Sequence, residues 1–424
     1  MTCTFSTQHM WDSLYRSAPS RLAIDSVIER IREEYSDGEL PFLSLSHFDE
    51  LQDILPHFKE FFQNRDSLII IGIGGSCVGI KALVQLLSPE QDINATKRIY
   101  FAENVDSHYL ALLQKTLNPH NTAILAISKS GNTIETVSQY MLFKQWLIDA
   151  CADAWKEHCA IVTDERTGFL FLEATRYNLL CATIPHAMGG RYSVLSAVGI
   201  LPLVFLEKDY TALMEGALSS ARNIIDNLSD TNNILWQLVI WQYVAEQQGL
   251  SQTILFSYIP RSMNFGLWFM QLWAESLGKE GKGTFPIFAQ GVVDQHSLQQ
   301  MFLDGKKQSS CIFLYTHETY KELLYINTDN PNWSYLQGRT LTDILSAEYQ
   351  GTVQSFIKEH IPHIECGIRD ISEYSIGSLF VFFQAFVFIL GRILEINPLD
   401  QPAVEYGKQV TKTILQEHTY STTT

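Results

Sequence analysis

Short apolar segments that alternate with helical segments dominate the chain from residue 67 onward and most strongly constrain its fold. SLIIIGIG is an apolar, β-branched run that ends in glycine and precedes the helical segment SCVGIKALVQLL. The runs RIYFAEN, TAILAIS, CAIVTD and LCATIP follow, and helical segments separate most of them. Strands that are apolar throughout predict a parallel sheet that helices cover on both faces.

The alternation stops in a polar helical region at about 210–250 and then resumes. QTILFSYI, FPIFA, SSCIFLYT and HIECGI are the strand candidates of the second half. We therefore predict two α/β/α units in series, with residues 56–209 in the first unit and 210–424 in the second. Residues 1–55 are predicted to be a helical segment packed on this core, and the first sixty residues to contain helices and loops only.

The composition indicates a globular protein and excludes some partners. The chain has 424 residues, enough for two or three domains. Its formal charge of −16 argues against nucleic acid or an anionic membrane as a general partner. Seven cysteines without a C-x-x-C pair favour free thiols in a reducing cytoplasm. The first residues lack the basic region and apolar core of a secretory signal.

One apolar run, IGSLFVFFQAFVFILG at 376–391, resembles a membrane span in composition. Its sixteen residues are fewer than a spanning helix usually needs, and the run contains Gln384. We therefore predict a buried helix at the centre of an α/β protein.

The stretch AISKSGNTIET, residues 126–136, places hydroxyl groups where a predicted strand ends and a helix begins. Ser128, Lys129, Ser130 and Thr133 offer donors suited to a terminal phosphate, and the helix dipole would assist them. The stretch lacks the Gly-Lys-Ser/Thr ending of a nucleotide-binding P-loop. The alternative is a capping box at the start of the helix, with Thr133 as its first residue.

A second strand-to-helix turn, IGIGGSCVG at 71–79, contains Gly74, Gly75 and Ser76. The glycines permit close backbone approach, and Ser76 could contact a ligand or cap the following helix. The spacing only loosely resembles a dinucleotide fingerprint. A tight turn without a ligand explains the sequence equally well.

HAMGGRYSVLSAVGILPL, residues 186–203, presents Arg191 after two glycines and before an apolar helix. A guanidinium fixed at the mouth of a buried element can stabilise a developing oxyanion. An ion pair between structural elements is the alternative.

FMQLWAESLGKEGKG, residues 269–283, ends an aromatic-rich helix with Glu275. Partial burial of a carboxylate on such a helix favours a role as general base. The alternative is a surface glutamate at a helix end, and the SLGKEGKG that follows is typical of a glycine-rich loop with spare positive charge.

Three further features are weak when taken singly. His296 in VVDQHSLQQMFLDG starts a helix, and Lys408 lies in NPLDQPAVEYGKQVTK behind two prolines. A lone histidine is usually structural, and a helical lysine is usually solvated. His360, His363 and Cys366 have donor types that bind zinc, but no second ligand pair lies near them, so no metal site is predicted.

Together these stretches make the chain resemble the glucose-6-phosphate isomerase family, in its shorter bacterial form. IGIGGS, SKSGNTIET, GGRYSVLSAVG, QLWAESLGKEGKG, DQHSLQQMFLDG and DQPAVEYGK occur in the family's order and spacing over nearly the whole chain. GGRYS and QPxVExGK are the most specific of them.

The resemblance implies two flavodoxin-like sugar-isomerase (SIS) units in a cytoplasmic homodimer with neither metal nor organic cofactor. It implies that Glu275 moves a proton between carbon-2 and carbon-1 of an open-chain sugar phosphate while Arg191 steadies the enediolate. His296, supplied by the partner subunit, and Lys408 would open the sugar ring. The residues implied to contact substrate are Gly75, Ser76, Ser128, Lys129, Ser130, Thr133, Gln271 and Gln401.

Leu399, Ala403, Gly131 and Asn132 depart from the pattern of many relatives, and none of these changes removes a proposed catalytic group. Two other hypotheses stay open at this point. One is a sugar-phosphate-binding regulator that keeps the SIS scaffold without chemistry, although such a protein has no reason to retain Glu275, Arg191, His296 and Lys408 together. The other is a broader isomerase that also accepts mannose 6-phosphate.

Overall fold

The structure is a computed structural model and describes residues 2–5, 18–164, 167–317 and 324–417. Its fifteen helices in these ranges are α1 (Arg21–Ser36), α2 (Pro41–Ser44), α3 (His47–Phe62), α4 (Val78–Leu87), α5 (Ser107–Thr116), α6 (Ile134–Cys151), α7 (Phe169–Tyr177), α8 (Ala197–Phe205), α9 (Tyr210–Asp226), α10 (Ile234–Gln247), α11 (Met263–Leu277), α12 (Gln299–Asp304), α13 (Leu341–Lys358), α14 (Glu373–Ile393) and α15 (Glu405–Glu417).

The first sheet has five parallel strands in the order β3-β2-β4-β5-β6. Every residue of the three central strands is buried, because helices cover both faces of the sheet. These strands therefore have the continuous apolar sequences from which they were predicted. The five are β2 (Ser67–Ile71), β3 (Arg98–Ala102), β4 (Thr122–Ser128), β5 (Cys159–Thr163) and β6 (Leu180–Thr183).

The second sheet has the order β1-β10-β9-β7-β8, and four of its strands are parallel. They are β7 (Gln252–Ser257), β8 (Phe285–Gln290), β9 (Ser309–Thr316) and β10 (His363–Ile368). The fifth, β1 (Thr2–Phe5), pairs antiparallel with β10 at the sheet edge. The prediction of helices and loops alone for the first sixty residues was therefore wrong at β1. A four-residue edge strand carries too little pattern to be recognised in a sequence.

Helix α14 forms the centre of the protein and contains the apolar run at 376–391. It is the one helix among the described residues long and apolar enough to cross a membrane, and 94% of its apolar window is buried inside the protein. Gly216 on α9 and Gly377 on α14 allow close packing, because a Cβ on either would lie 1.9 Å from a backbone oxygen of the other helix. The predicted buried helix is confirmed.

Helices α11 and α14, both from the second half of the chain, pack on the segment that carries Arg191. Trp268 of α11 donates its indole N–H to the Arg191 carbonyl at 3.2 Å. Gln384 of α14 donates to the Tyr192 carbonyl at 2.9 Å. The second bond explains why Gln384 lies within the apolar run at 376–391. Together the two bonds fix the backbone at Arg191 where the two halves of the chain meet.

Candidate active site

The carboxyl ends of the first sheet's strands carry most of the polar motifs, as expected for a parallel α/β sheet. The turn Gly74–Ser76 follows β2, the hydroxyl-rich loop follows β4, and the segment leading to Arg191 follows β6. Because these strands are parallel members of one sheet, all three loops lie at the same end of it.

Gly75 lies directly against the loop that presents Arg191. A Cβ on Gly75 would lie 2.2 Å from the carbonyl carbon of Gly190, so no larger residue fits there. Gly74 has a φ of +57°, and a Cβ on it would lie 3.1 Å from Nε2 of Gln271. Ser76 completes the same turn, with its N–H donating to the Ile73 carbonyl at 3.2 Å. The glycines thus serve close packing of two site loops and form a tight turn as well.

The Arg191 guanidinium is buried and held by hydrogen bonds in several directions. Its Nη1 lies 3.2 Å from Oε2 of Glu275 and 2.8 Å from Oε1 of Gln401. Its Nε donates to Oγ of Ser276 at 2.8 Å. Because five N–H donors are distributed over a rigid plane, these partners fix both the position and the orientation of the cation.

Two backbone carbonyls are the remaining partners of the Arg191 guanidinium. Its Nη2 donates to the Pro398 carbonyl at 2.7 Å and to the Asp400 carbonyl at 3.0 Å. The segment 397–401 is thereby attached to the first unit through one side chain. Arg191 does form an ion pair between elements, as the structural alternative required. The anion of that pair is the other predicted catalytic residue, so the structural and functional interpretations do not exclude each other.

Glu275 lies in the last turn of α11 with its carboxylate held at both oxygens. Oε1 accepts from Nε2 of Gln271 at 2.9 Å, one helical turn earlier, and Oε2 accepts from Arg191. The Glu275 side chain is 34% exposed whereas that of Arg191 is 1% exposed. The carboxylate is thus oriented by two partners and still open to a small molecule from one side.

Three hydroxyl groups form a cluster at the end of β4. Oγ of Ser128 is 2.8 Å from Oγ1 of Thr133, and Oγ of Ser130 is 3.5 Å from each. Thr133 occupies the N-cap position of α6, but its side chain makes no capping hydrogen bond. The predicted alternative, a capping box that starts with Thr133, is therefore wrong, since the hydroxyl faces Ser128 instead of the helix N–H groups.

Lys129 adds positive charge beside this cluster. Burial lowers the pKa of its ammonium, the Asp164 carboxylate opposes that effect, and the Arg191 guanidinium adds to it. Lys129, Asp164 and Arg191 therefore interact electrostatically. Lys129, Arg191 and the N-terminus of the 18-residue α6 make this edge locally favourable for an anion, although the chain as a whole is acidic.

Among the described residues of the single chain, His296 and Lys408 make no hydrogen bond or ion pair with Arg191 or Glu275. His296 ends a short 3₁₀ helix after β8 and is exposed. Lys408 lies on α15 with its ammonium 2.7 Å from Glu405. Among the described residues, the hydrogen bonds of Glu275 come from Arg191 and Gln271, and none comes from His296 or Lys408.

His360, His363 and Cys366, which have the donor types of zinc sites, do not form a metal-binding group among the described residues. His363 and Cys366 are buried on β10, and Nδ1 of His363 is 2.8 Å from the Ile361 carbonyl. Across the four described ranges, no group of three or more histidine, cysteine, aspartate or glutamate residues is arranged to hold a metal ion.

Residues 59–424 match the model of the family described as phosphoglucose isomerase. A probable glucose-6-phosphate isomerase of Methanococcus maripaludis is 32% identical over 388 residues, covering 91% of this chain and 86% of that protein. The glucose-6-phosphate isomerase of Fusobacterium nucleatum is 30% identical, covering 92% of this chain and 90% of that protein.

The chain belongs to the phosphoglucose isomerase family. This confirms the family predicted from the sequence.

Solved structures agree with the fold of a phosphoglucose isomerase. A hypothetical protein from Thermus thermophilus has a TM-score of 0.88 at 28% identity, covering 98% of this chain and all (100%) of that chain. A glucose-6-phosphate isomerase from Chlamydia trachomatis has a TM-score of 0.73 at 20% identity, covering 92% of this chain and 75% of its own. The predicted α/β class with two SIS-type parallel-sheet units is confirmed, whereas the exact domain boundaries stay a prediction.

Several residues of the candidate site were not predicted from the sequence. Ser276 and the carbonyls of Pro398 and Asp400 orient Arg191, and Asp164 and His186 form a pair 2.7 Å apart beside the hydroxyl cluster. Asp164 directly follows β5, so the rule that ligand sites follow parallel strands was the available signal.

Proposed function

We propose that the chain interconverts glucose 6-phosphate and fructose 6-phosphate through a cis-enediolate, as part of cytoplasmic glycolysis and gluconeogenesis. The observation that carries this is the contact between a buried Arg191 and a half-exposed Glu275. Isomerisation needs one base that reaches two adjacent carbons and one fixed cation beside the oxygen that becomes charged. A regulator without chemistry would need neither group oriented in this way.

In the proposed mechanism Glu275 removes the carbon-2 proton of open-chain glucose 6-phosphate and returns it to carbon-1. Negative charge develops on the oxygens of the enediolate, and Arg191 stabilises it without reorganisation because its partners already fix it. Gln271 holds the other carboxylate oxygen and so orients the base. No metal or organic cofactor is required for these steps.

The hydroxyl cluster of Ser128, Ser130 and Thr133, with Lys129 beside it, is proposed to hold the 6-phosphate. Hydroxyl and N–H donors at the start of α6 suit a dianion at this position. Gly75, Ser76 and Gln401 would contact the sugar between the phosphate and the reacting carbons. The phosphate is remote from those carbons, so its binding energy serves to orient them.

Replacing Ser130 with alanine should raise KM for fructose 6-phosphate about 10-fold, the effect of removing one hydrogen bond to a charged group. We expect kcat to stay within about twofold, because the phosphate is held equally in the ground and transition states. A coupled spectrophotometric assay measures both constants. Ser138→Ala is the control, since that exposed hydroxyl on α6 donates to the Ile134 carbonyl. An unchanged KM for Ser130→Ala would contradict phosphate binding by this cluster.

Ring opening is assigned to His296 and Lys408, with His296 supplied by a second copy of the chain in a homodimer. Every residue from 401 to 417 is exposed in the single chain, including the apolar side chains of Tyr406, Val410 and Ile414. A 13-residue helix is marginally stable by itself in water, so a partner that covers it is expected. Five buried or half-buried cysteines are free thiols, which fits a reducing compartment; they are Cys77, Cys151, Cys159, Cys181 and Cys311.

Mixing two inactive variants tests the shared site. His296→Ala and Glu275→Gln subunits, unfolded and refolded together, should regain about a quarter of wild-type activity, since half the dimers are mixed and each contains one intact site. Each variant refolded alone is the control. Absence of recovery, with mixed dimers demonstrated by differential tagging, would contradict the transfer of His296 across the interface.

A further inference from the structure

Asp164 lies between the hydroxyl cluster and the loop that presents Arg191. It directly follows β5, and its carboxylate is buried, with 9% of the side chain exposed. Its Oδ2 is 2.7 Å from Nδ1 of His186, whose side chain is 70% exposed. The hydrogen bond to this buried carboxylate fixes the orientation of the His186 ring at the edge of the site.

The backbone of Asp164 is attached to the phosphate-binding loop. Its N–H donates to the Lys129 carbonyl at 3.1 Å. The neighbouring Thr163 donates its hydroxyl to the Ser128 carbonyl at 2.7 Å. A Cβ on Gly131 would lie 3.1 Å from the same Thr163 hydroxyl, so the loop has little room to move relative to the end of β5.

His186 attaches the other loop. It lies five residues before Arg191, and the Ile184 N–H donates to the Thr163 carbonyl at 2.9 Å. Between His186 and Arg191 the chain passes Gly190, against which Gly75 packs without space for a Cβ. The loop from Ile184 to Arg191 is therefore attached to the end of β5 near its start and packed against Gly75 near its end.

We infer that Asp164 and His186 are a positioning pair that fixes the distance between the phosphate-binding loop and Arg191. This inference rests on the proposed function, in which the two loops hold opposite ends of one hexose phosphate. The phosphate anchors the sugar at one loop, and the charge that develops lies at the other. The distance between the loops consequently decides whether carbon-1 and carbon-2 lie within reach of Glu275, and misplacement by about 1 Å can cost about 100-fold in rate.

The test compares His186→Ala, Asp164→Ala and the double variant, with kcat and KM for fructose 6-phosphate and competitive inhibition by inorganic phosphate as readouts. Each single variant should lower kcat about 10-fold to 100-fold, because the reacting carbons are misplaced. For His186→Ala the inhibition constant for phosphate should change less than about 3-fold, because the hydroxyl cluster and the Asp164 charge beside Lys129 are intact. The double variant should be no slower than the slower single variant, because each single variant already breaks the contact between Asp164 and His186.

His186→Asn should recover most of the kcat lost in His186→Ala, because its amide N–H can replace Nδ1 as the donor to Asp164. The exposed pair Arg21 and Asp25 on α1, 3.0 Å apart, is the matched control, and alanine at either position should leave kcat unchanged. Since His186 is mostly exposed, its two variants decide the question even where Asp164→Ala fails to fold.

A kcat of His186→Ala within about twofold of wild type, or losses that multiply in the double variant, would overturn the inference. The first result would show a pair that only stabilises the strand ends, and the second would show two residues that act on kcat independently of each other. Failure of the proposed function has a different signature. Wild type would then not isomerise fructose 6-phosphate, and inorganic phosphate would not compete with it.

Discussion

Glu275→Gln should lower kcat for fructose 6-phosphate isomerisation by about 10³-fold, as expected when a general base is lost. The amide keeps the size of the carboxylate. Its oxygen can accept from Arg191, and its NH2 can donate to the Oε1 of Gln271 once the Gln271 amide turns over, so the surrounding bonds change little. Substrate binding, measured by calorimetry, should stay within about 3-fold, because the phosphate is held elsewhere. The coupled assay measures the loss of rate.

Glu359→Gln is the matched control for this variant, since that exposed glutamate pairs with Lys307 at 2.9 Å on the second sheet's periphery. Its kcat should equal that of wild type. If Glu275→Gln kept a rate near that of wild type, Glu275 would not be the base, and another group would have to reach both carbons.

Arg191→Lys should lower kcat by about 100-fold or more, comparable to the loss of an oxyanion-stabilising donor. Lysine preserves the charge, but its ammonium cannot reproduce the planar fork that contacts Glu275, Ser276 and Gln401. The carbonyls of Pro398 and Asp400 would also lose their donor. We therefore expect the free energy of unfolding, measured in urea, to fall by about 3 kcal/mol.

Arg392→Lys is the control that separates the loss of kcat in Arg191→Lys from its loss of stability. Arg392 is also a buried arginine, paired with Glu34 at 2.6 Å, and it takes no part in the proposed chemistry. Its replacement should lower stability by a similar amount while leaving kcat unchanged. Equal losses of kcat in both variants would assign the effect of Arg191 to folding and would contradict its role in stabilising the enediolate.

The strands of both sheets were predictable because buried parallel strands require continuous apolar sequence, and TAILAIS and QTILFS illustrate this directly. The edge strand β1 was not predictable, because its pairing with β10 depends on residues more than 350 positions away. Thr133 was ambiguous for a similar reason. Whether its hydroxyl caps α6 or faces Ser128 depends on the tertiary position of β4.

The site was predictable in its residue types and less so in its contacts. The motifs singled out Arg191, Glu275 and Gln401. In the structure Arg191 donates a hydrogen bond to each of the other two. The carbonyls that orient Arg191 carry no sequence signal, since any residue has one. His296 and Lys408 are exposed in the single chain, so the place in the site that we propose for them depends on an assembly that one sequence does not display.

Transfer of a proton through Glu275, the central step of the proposed mechanism, can be followed by equilibrating fructose 6-phosphate with the enzyme in deuterium oxide. A base that carries the proton exchanges it with solvent, so wild type should introduce deuterium at carbon-1 of fructose 6-phosphate and at carbon-2 of glucose 6-phosphate. Glu275→Gln should introduce none over the same period, as measured by NMR. If wild type interconverted the sugars over many turnovers with both positions still protonated, this would contradict proton transfer through a carboxylate that is 34% exposed to solvent.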